Sequence, residues 1–304
     1  MVIDERPDHQ PIVALLYDFD KTLTPLDMQE YAFFPAIGTE ASEFWERADS
    51  ISDTQVMDMI LASMYMMHEA CQSQDIPMTR EFLNSCGGPI EFFPGLPDWF
   101  EQINARGEEC GVQIEHYIIS SGLKEIIEGT AVAPYFKKIF ASEYLYDESG
   151  HAQWPLNSVN YTGKTQYIFR VNKGILDISD DHVMSAYIPV GERRVPFENM
   201  IYIGDGFTDI PCMKLVRSNG GCSVAVHPPG GYKSVDFLQR QRRVNFVTEA
   251  DYRPESELSL VVNQFIEKVA ITNKIQQHQA KQEKENQLLF AKSQEGIQAT
   301  KTKS

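Results

Sequence analysis

The chain has 304 residues, with 43 Asp and Glu against 27 Lys and Arg, a formal net charge of −16 at pH 7 and 42% hydrophobic residues. That length and apolar content support one large α/β domain with an inserted module, while the acidic balance argues against nucleic-acid binding and against adhesion to anionic membranes. No apolar run reaches the ~18 residues of a membrane span, the opening Met1-Val2-Ile3-Asp4-Glu5-Arg6 does not read as a signal peptide, and Cys71, Cys86, Cys110, Cys212 and Cys222 form no C-x-x-C pair, which suits reduced, buried thiols in the cytoplasm.

In chain order, the first element is the apolar run Ile12-Val13-Ala14-Leu15-Leu16, which reads as a buried strand of a parallel sheet. It runs directly into Tyr17-Asp18-Phe19-Asp20-Lys21-Thr22-Leu23-Thr24. In open α/β sheets ligands bind beyond the carboxyl ends of the strands, which places Asp18 and Asp20 at the mouth of a crevice. They lie two residues apart, on one side of an extended segment. Crowded carboxylates persist where a cation binds them or where one stays protonated. Taken alone the pattern is weak, and a turn or capping role is the alternative.

Residues 26–92 interrupt the strand pattern. Ala41 to Asp49 reads as a helix, and Ser52-Asp53-Thr54 offers an N-cap for a longer helix to about Gln72, with Val56, Ile60, Met64 and Met67 at helical spacing. Thr79 to Leu83 starts a short helix that Gly87-Gly88-Pro89 ends. The methionines at 57, 59, 64, 66 and 67 suit ordinary core packing, or an adaptable apolar surface. Residues 98–170 then alternate helix and strand, as a doubly wound sheet requires. A strand over Lys138 to Leu145 meets a turn at Asp147-Glu148-Ser149-Gly150.

Three later segments bear on Asp18. His116-Tyr117-Ile118-Ile119-Ser120-Ser121-Gly122 is an apolar strand ending in hydroxyls, after which Gly122 opens a helix whose N-terminus suits phosphate; simple N-capping is the alternative. Tyr161-Thr162-Gly163-Lys164-Thr165-Gln166 opens a helix on Lys164, which is either a solvated surface group or the cation that a phosphoryl site in an acidic setting needs. Met200-Ile201-Tyr202-Ile203-Gly204-Asp205-Gly206-Phe207-Thr208-Asp209 is a strand ending in a glycine-flanked acid, with a second acid four residues on. Asp205 and Asp209 can face one hard cation such as Mg²⁺. Between Lys164 and Met200, Arg193 and Arg194 read as part of a solvated loop, or as contacts to a second anionic group of a substrate. From Thr272 onward the chain is Gln- and Lys-rich, a polar helix or a disordered tail with the single apolar cluster Leu288-Leu289-Phe290.

The four motifs, in this order, resemble those of the haloacid dehalogenase-like superfamily: Asp18/Asp20/Thr22, Ser120, Lys164, and Gly204-Asp205-Gly206 with Asp209. The resemblance spans roughly residues 10 to 235 and is closest to the phosphoserine-phosphatase-like branch, through Ser120-Ser121-Gly122 and the G-D-G-x-x-D form. It implies a Rossmann-like, mostly parallel sheet in residues 1–25 and 93–255, a helical cap in 26–92, and a tail in 256–304. It further implies a Mg²⁺-dependent phosphatase acting on a small phosphorylated metabolite. Asp18 is then the nucleophile and Asp20 the general acid and base, and Lys164 neutralises charge. Thr22, Ser120, Ser121, Gly122 and Lys164 surround the phosphate, and Asp18, Asp205, Asp209 and the Asp20 carbonyl hold the metal. A phosphotransferase using the same intermediate and a non-catalytic phospholigand-binding protein are the alternatives, and a homo-oligomer through cap or tail is left open. Phosphoserine phosphatases place a Glu nine residues after the nucleophile; here Asp27 stands there.

Overall fold

A computed structural model of the protein describes residues 10–301; Met1 to Arg6 lie outside the described residues, as do the side chains of Leu288 and Phe290. Seven strands form one sheet in the order β4-β3-β2-β1-β5-β6-β7. They are β1 (Ile12–Tyr17), β2 (Gln113–Leu123), β3 (Lys138–Tyr146), β4 (Ala152–Asn157), β5 (Met200–Gly204), β6 (Cys222–His227) and β7 (Phe246–Glu249). All neighbours run parallel except the β3–β4 hairpin. This is the doubly wound α/β architecture read from the sequence.

β1 is buried along its whole length, and its alternation of faces builds two cores. Val13, Leu15 and Tyr17 join the cluster containing the helix Asp98–Cys110 and the first turns of the helix Glu257–Lys301. Ile12, Ala14 and Leu16 join the cluster containing the helices Lys164–Lys173 and Ile210–Ser218. The chain moves from β1 to β2 on one side and later to β5 on the other. The crevice at that switch point therefore opens over the carboxyl ends of β1, β2 and β5, where Tyr17 pairs with both Ile118 and Ile203.

The helix Glu257–Lys301 is apolar only at its start. Leu258, Val262 and Ile266 are fully buried, whereas Ile275 and Leu289 are exposed. No helix among the described residues is long and apolar enough to cross a membrane. All five cysteines are free, four of them buried.

The segment after β1 is helical, with an antiparallel pair Ala41–Gln55 and Met59–Ser73 followed by Arg80–Ser85. The first helix runs past Ser52-Asp53-Thr54 and stops at Val56, which adopts a left-handed conformation with φ of 53°. The second is capped by Asp58, whose carboxylate accepts from the N–H groups of Ile60 and Leu61. The expected cap at 52–54 is thus displaced by four residues, because Asp58 satisfies two helix-end donors at once. This helical segment leans on the β3–β4 hairpin: Tyr144 Oη donates to the carbonyl of Met64 in the second helix at 2.6 Å, and Ala152 N–H donates to the carbonyl of Met78, between that helix and the next, at 2.8 Å. Of the methionines in this pair, Met64, Met66 and Met67 are core residues.

Candidate active site

Asp18 follows the last residue of β1 and is 5% exposed. Its Oδ1 accepts the Phe19 N–H at 2.8 Å, and its Oδ2 lies 2.9 Å from Lys164 Nζ. Lys164, the first residue of its helix, is fully buried and also lies 2.8 Å from Asp209 Oδ1 and 3.5 Å from Thr208 Oγ1. Asp205 follows β5, and Asp209 lies one short turn further on. Carboxylate oxygens of Asp18, Asp205 and Asp209 all approach within 4.8 Å of one another. Four residues separated by up to 191 positions thus form one charge cluster at the sheet's carboxyl edge.

The electrostatics follow from three carboxylates facing one buried ammonium. Burial, then the Asp209 charge, raises the Asp18 pKa to about 7 despite Lys164. Burial with the Asp209 and Asp18 charges raises Asp205 to about 8. Burial would lower Lys164, but Asp18 and Asp209 outweigh it and the ammonium is held charged. A site in which carboxylates are penalised until a cation arrives, and which offers only oxygen ligands, fits a hard divalent ion.

Asp20 lines the same cavity, and its Oδ1 accepts the Met28 N–H at 2.7 Å. Burial first, then Asp27 and Asp18, holds its pKa well above the ordinary carboxylate range. The neighbouring Lys21 adopts φ of 57° and its ammonium lies 2.8 Å from Asp27 Oδ2. A bulky residue in the left-handed region is uncommon and here turns the chain sharply around Asp20.

Ser120, Ser121 and Gly122 line the cavity as well. β2 continues through them to Leu123, so the expected helix start at Gly122 falls two residues later, at Lys124. Ser120 Oγ accepts the Gly122 N–H at 3.0 Å, and Ser121 Oγ is buried with no partner. Gly122 admits Asp20 and Met28: a Cβ there would sit 2.1 Å from Met28 Cε and 2.9 Å from Asp20 Oδ2. Gly204 does the same for Asp209, whose Oδ2 would be 2.5 Å from a Cβ. Thr22 is fully buried with its hydroxyl unpartnered, and it is not among the residues lining the cavity.

Arg194 lies elsewhere. Its guanidinium grips both oxygens of Glu115, low on β2, at 2.5 and 2.6 Å. For Arg194 that largely buried pair replaces the solvated loop or substrate contact expected of it, while Arg193 stays within the loop, its Nε 3.5 Å from the Ile188 carbonyl. Two contributors were not picked out from the sequence. Tyr202 Oη donates to Asp209 Oδ1 at 2.7 Å, and Met28 supplies both the N–H that holds Asp20 and a thioether that accepts the Leu123 N–H at 3.2 Å. Tyr202 reads locally as packing in a buried strand. Met28 had a detectable signal, since Asp27 and Glu30 have the spacing of a helix-start box and Glu30 Oε1 accepts the Asp27 N–H at 3.2 Å.

The cavity measures about 830 Å³. Its far wall comes from the helical segment: Trp45 and Asp49 on one helix, Met59, Ile60 and Ser63 on the next.

With this geometry in place, residues 15–214 match the family model of the haloacid dehalogenase-like hydrolases. The chain belongs to that family. A hydrolase of the same family from Salmonella enterica serovar Typhi superposes with a TM-score of 0.55 at 14% identity, covering 85% of this chain and 72% of that one. A substrate-bound phosphoserine phosphatase gives 0.50 at 12% identity, covering 78% and 93%. These likenesses are of fold. An uncharacterized protein of Borreliella burgdorferi is 28% identical over 293 residues, covering 87% of this chain and 99% of its own length.

Proposed function

We propose that the protein hydrolyses small phosphate monoesters through a phosphoryl group carried on Asp18, with Mg²⁺ as its cofactor. The observation that carries this reading is the Asp18 carboxylate, buried, 2.9 Å from a buried ammonium and within 4.8 Å of two further carboxylates, at the end of a cavity lined by Ser120 and Gly122. Asp18, Asp205 and Asp209 would hold the ion, which when bound supplies positive charge at the phosphoryl oxygens.

The protein's own groups do the rest. One Asp18 oxygen attacks phosphorus as the bond to the leaving oxygen breaks, and Asp20 gives its proton to that oxygen. The raised pKa of Asp20 suits it to carry that proton near neutral pH. Asp20, now ionised, takes a proton from water as the water oxygen attacks the same phosphorus, and inorganic phosphate leaves with Asp18 restored. Lys164 offsets charge on Asp18 and on the phosphoryl oxygens throughout. Ser120, which accepts from Gly122, still has its own hydroxyl proton to give. Residues 26–92 act as a cap that walls the leaving group from water.

The test is phosphate release from p-nitrophenyl phosphate with MgCl₂ and with chelator. Release by the wild type in Mg²⁺ alone, none by Asp18→Asn, and a loss of ~10²-fold or more in Asp20→Asn are the expected results. Full activity of either variant would overturn the assignment.

A further inference from the structure

Resting on the phosphatase reading, the walls of the cavity away from Asp18 define the leaving group. The phosphoryl end balances itself: Lys164 and the metal ligands belong there. Beyond it the lining holds Lys21, Asp27 and Asp49, and no arginine or histidine. Lys21 and Asp27 neutralise one another at 2.8 Å. Asp49 lines the cavity from its exposed rim and makes no hydrogen bond or ion pair among the described residues. One turn before it on the same helix stands Trp45, partly buried, with an indole edged by Phe34 and Phe44. Two polar atoms on this side are buried and unpartnered, Trp45 Nε1 and Gln29 Oε1, and Gln29 is itself only 6% exposed. Of the two, Gln29 Oε1 is an acceptor and suits a ligand that donates, such as an ammonium, whereas the indole N–H can only donate and gives a cation nothing.

We infer that the leaving group is the alcohol of a cationic amine: the enzyme prefers phosphate monoesters of amino or quaternary-ammonium alcohols over those bearing a carboxylate. An indole and an unpaired carboxylate one helical turn apart on the same wall together attract a compact cation. A carboxylate entering the same space would meet Asp49 and find only Lys21, already engaged by Asp27. Like charges brought together at a recognition surface are strongly discriminated against. The Gln29 side chain, next to the backbone that holds Asp20, can bond an ammonium or a hydroxyl near the ester oxygen.

The experiment measures kcat/KM of the full-length protein in MgCl₂ with phosphoethanolamine, phosphocholine, phosphoserine, phosphoglycolate and p-nitrophenyl phosphate. The two cationic esters should exceed the two carboxylate esters by about tenfold or more. In Asp49→Asn the ratio of cationic ester to p-nitrophenyl phosphate should fall by roughly tenfold, through KM. Asp49→Lys should turn the preference toward the carboxylates. If p-nitrophenyl phosphate is turned over but the carboxylate esters match or beat the cationic ones, or the ratio stands unmoved in both Asp49 variants, the inference fails and the phosphatase reading survives. No release from any ester overturns both.

Discussion

Replacing Lys164 by Met probes the cluster at its single buried cation. The ammonium is fully buried and lies 2.9 and 2.8 Å from Asp18 and Asp209. Without it, carboxylates within 4.8 Å of one another face no buried ammonium, and only the more distant Lys21 acts on Asp205. At that distance each ionised pair repels by about 3.5 kcal/mol with an effective dielectric constant of about 20. One carboxylate therefore takes up a proton, and the net loss is the about 3–5 kcal/mol typical of removing one partner from a buried ion pair. For a chain of this size that lowers Tm by on the order of 10 °C. The sign with pH is set by raised carboxylate pKa values. Asp18 and Asp205 stand at about 7 and about 8 even with Lys164 present, so the folding penalty is full above those values and lifts progressively as pH falls from them toward the ordinary Asp value of 3.8. Removing Lys164 raises both further, so the variant is weakest in alkali and recovers in mild acid. The assay is thermal unfolding by circular dichroism on either side of neutral pH, in chelator and in MgCl₂. Divalent cation should restore much of the lost Tm. A fall of less than about 2 °C in chelator, or no response to pH, would refute the crowding of these carboxylates.

Two further predictions follow from packing and charge. Gly122→Ala places a methyl 2.9 Å from Asp20 Oδ2 and 2.1 Å from Met28 Cε; it should destabilise by about 1–3 kcal/mol in urea unfolding and lower kcat by about tenfold or more, since Asp20 must move. Glu115 is buried, and although burial alone would raise its pKa, hydrogen bonds from Arg194, Lys137 and Tyr117 bring it down to about 2. Its roughly 3 kcal/mol of stability is present above the ordinary Glu pKa of about 4.5 and is lost as pH falls from there toward 2. Glu115→Gln should therefore flatten acid unfolding in that window, read by intrinsic fluorescence, while an unchanged acid limb would contradict the pairing.

What the sequence made legible was local chemistry at element ends. Asp18 and Asp205 each follow an apolar strand, Ser120 lies near the end of another and Lys164 opens a helix, so a parallel sheet brings them to one edge without any long-range information. The helix break at Val56 was hidden, because Ser52-Asp53-Thr54 holds three cap-competent residues and a β-branched residue in the left-handed region is locally disfavoured. Asp58 prevails by binding two helix N–H groups and by accepting from Asn160 Nδ2 at 3.1 Å, a contact spanning 102 positions. Arg194 and Tyr202 were misjudged or passed over for the same reason. Their partners, Glu115 and Asp209, become neighbours only when strands and loops are assembled, and an arginine in a loop or a tyrosine in a strand has a sufficient local explanation without them.

The measurement that tests the central claim most directly is to quench the protein in acid during turnover of a radiolabelled phosphate monoester and map the label. The account predicts label on the peptide carrying Asp18, labile to hydroxylamine and absent from Asp18→Asn. Sustained phosphate release with no label on Asp18, or label residing on Ser120, would contradict it.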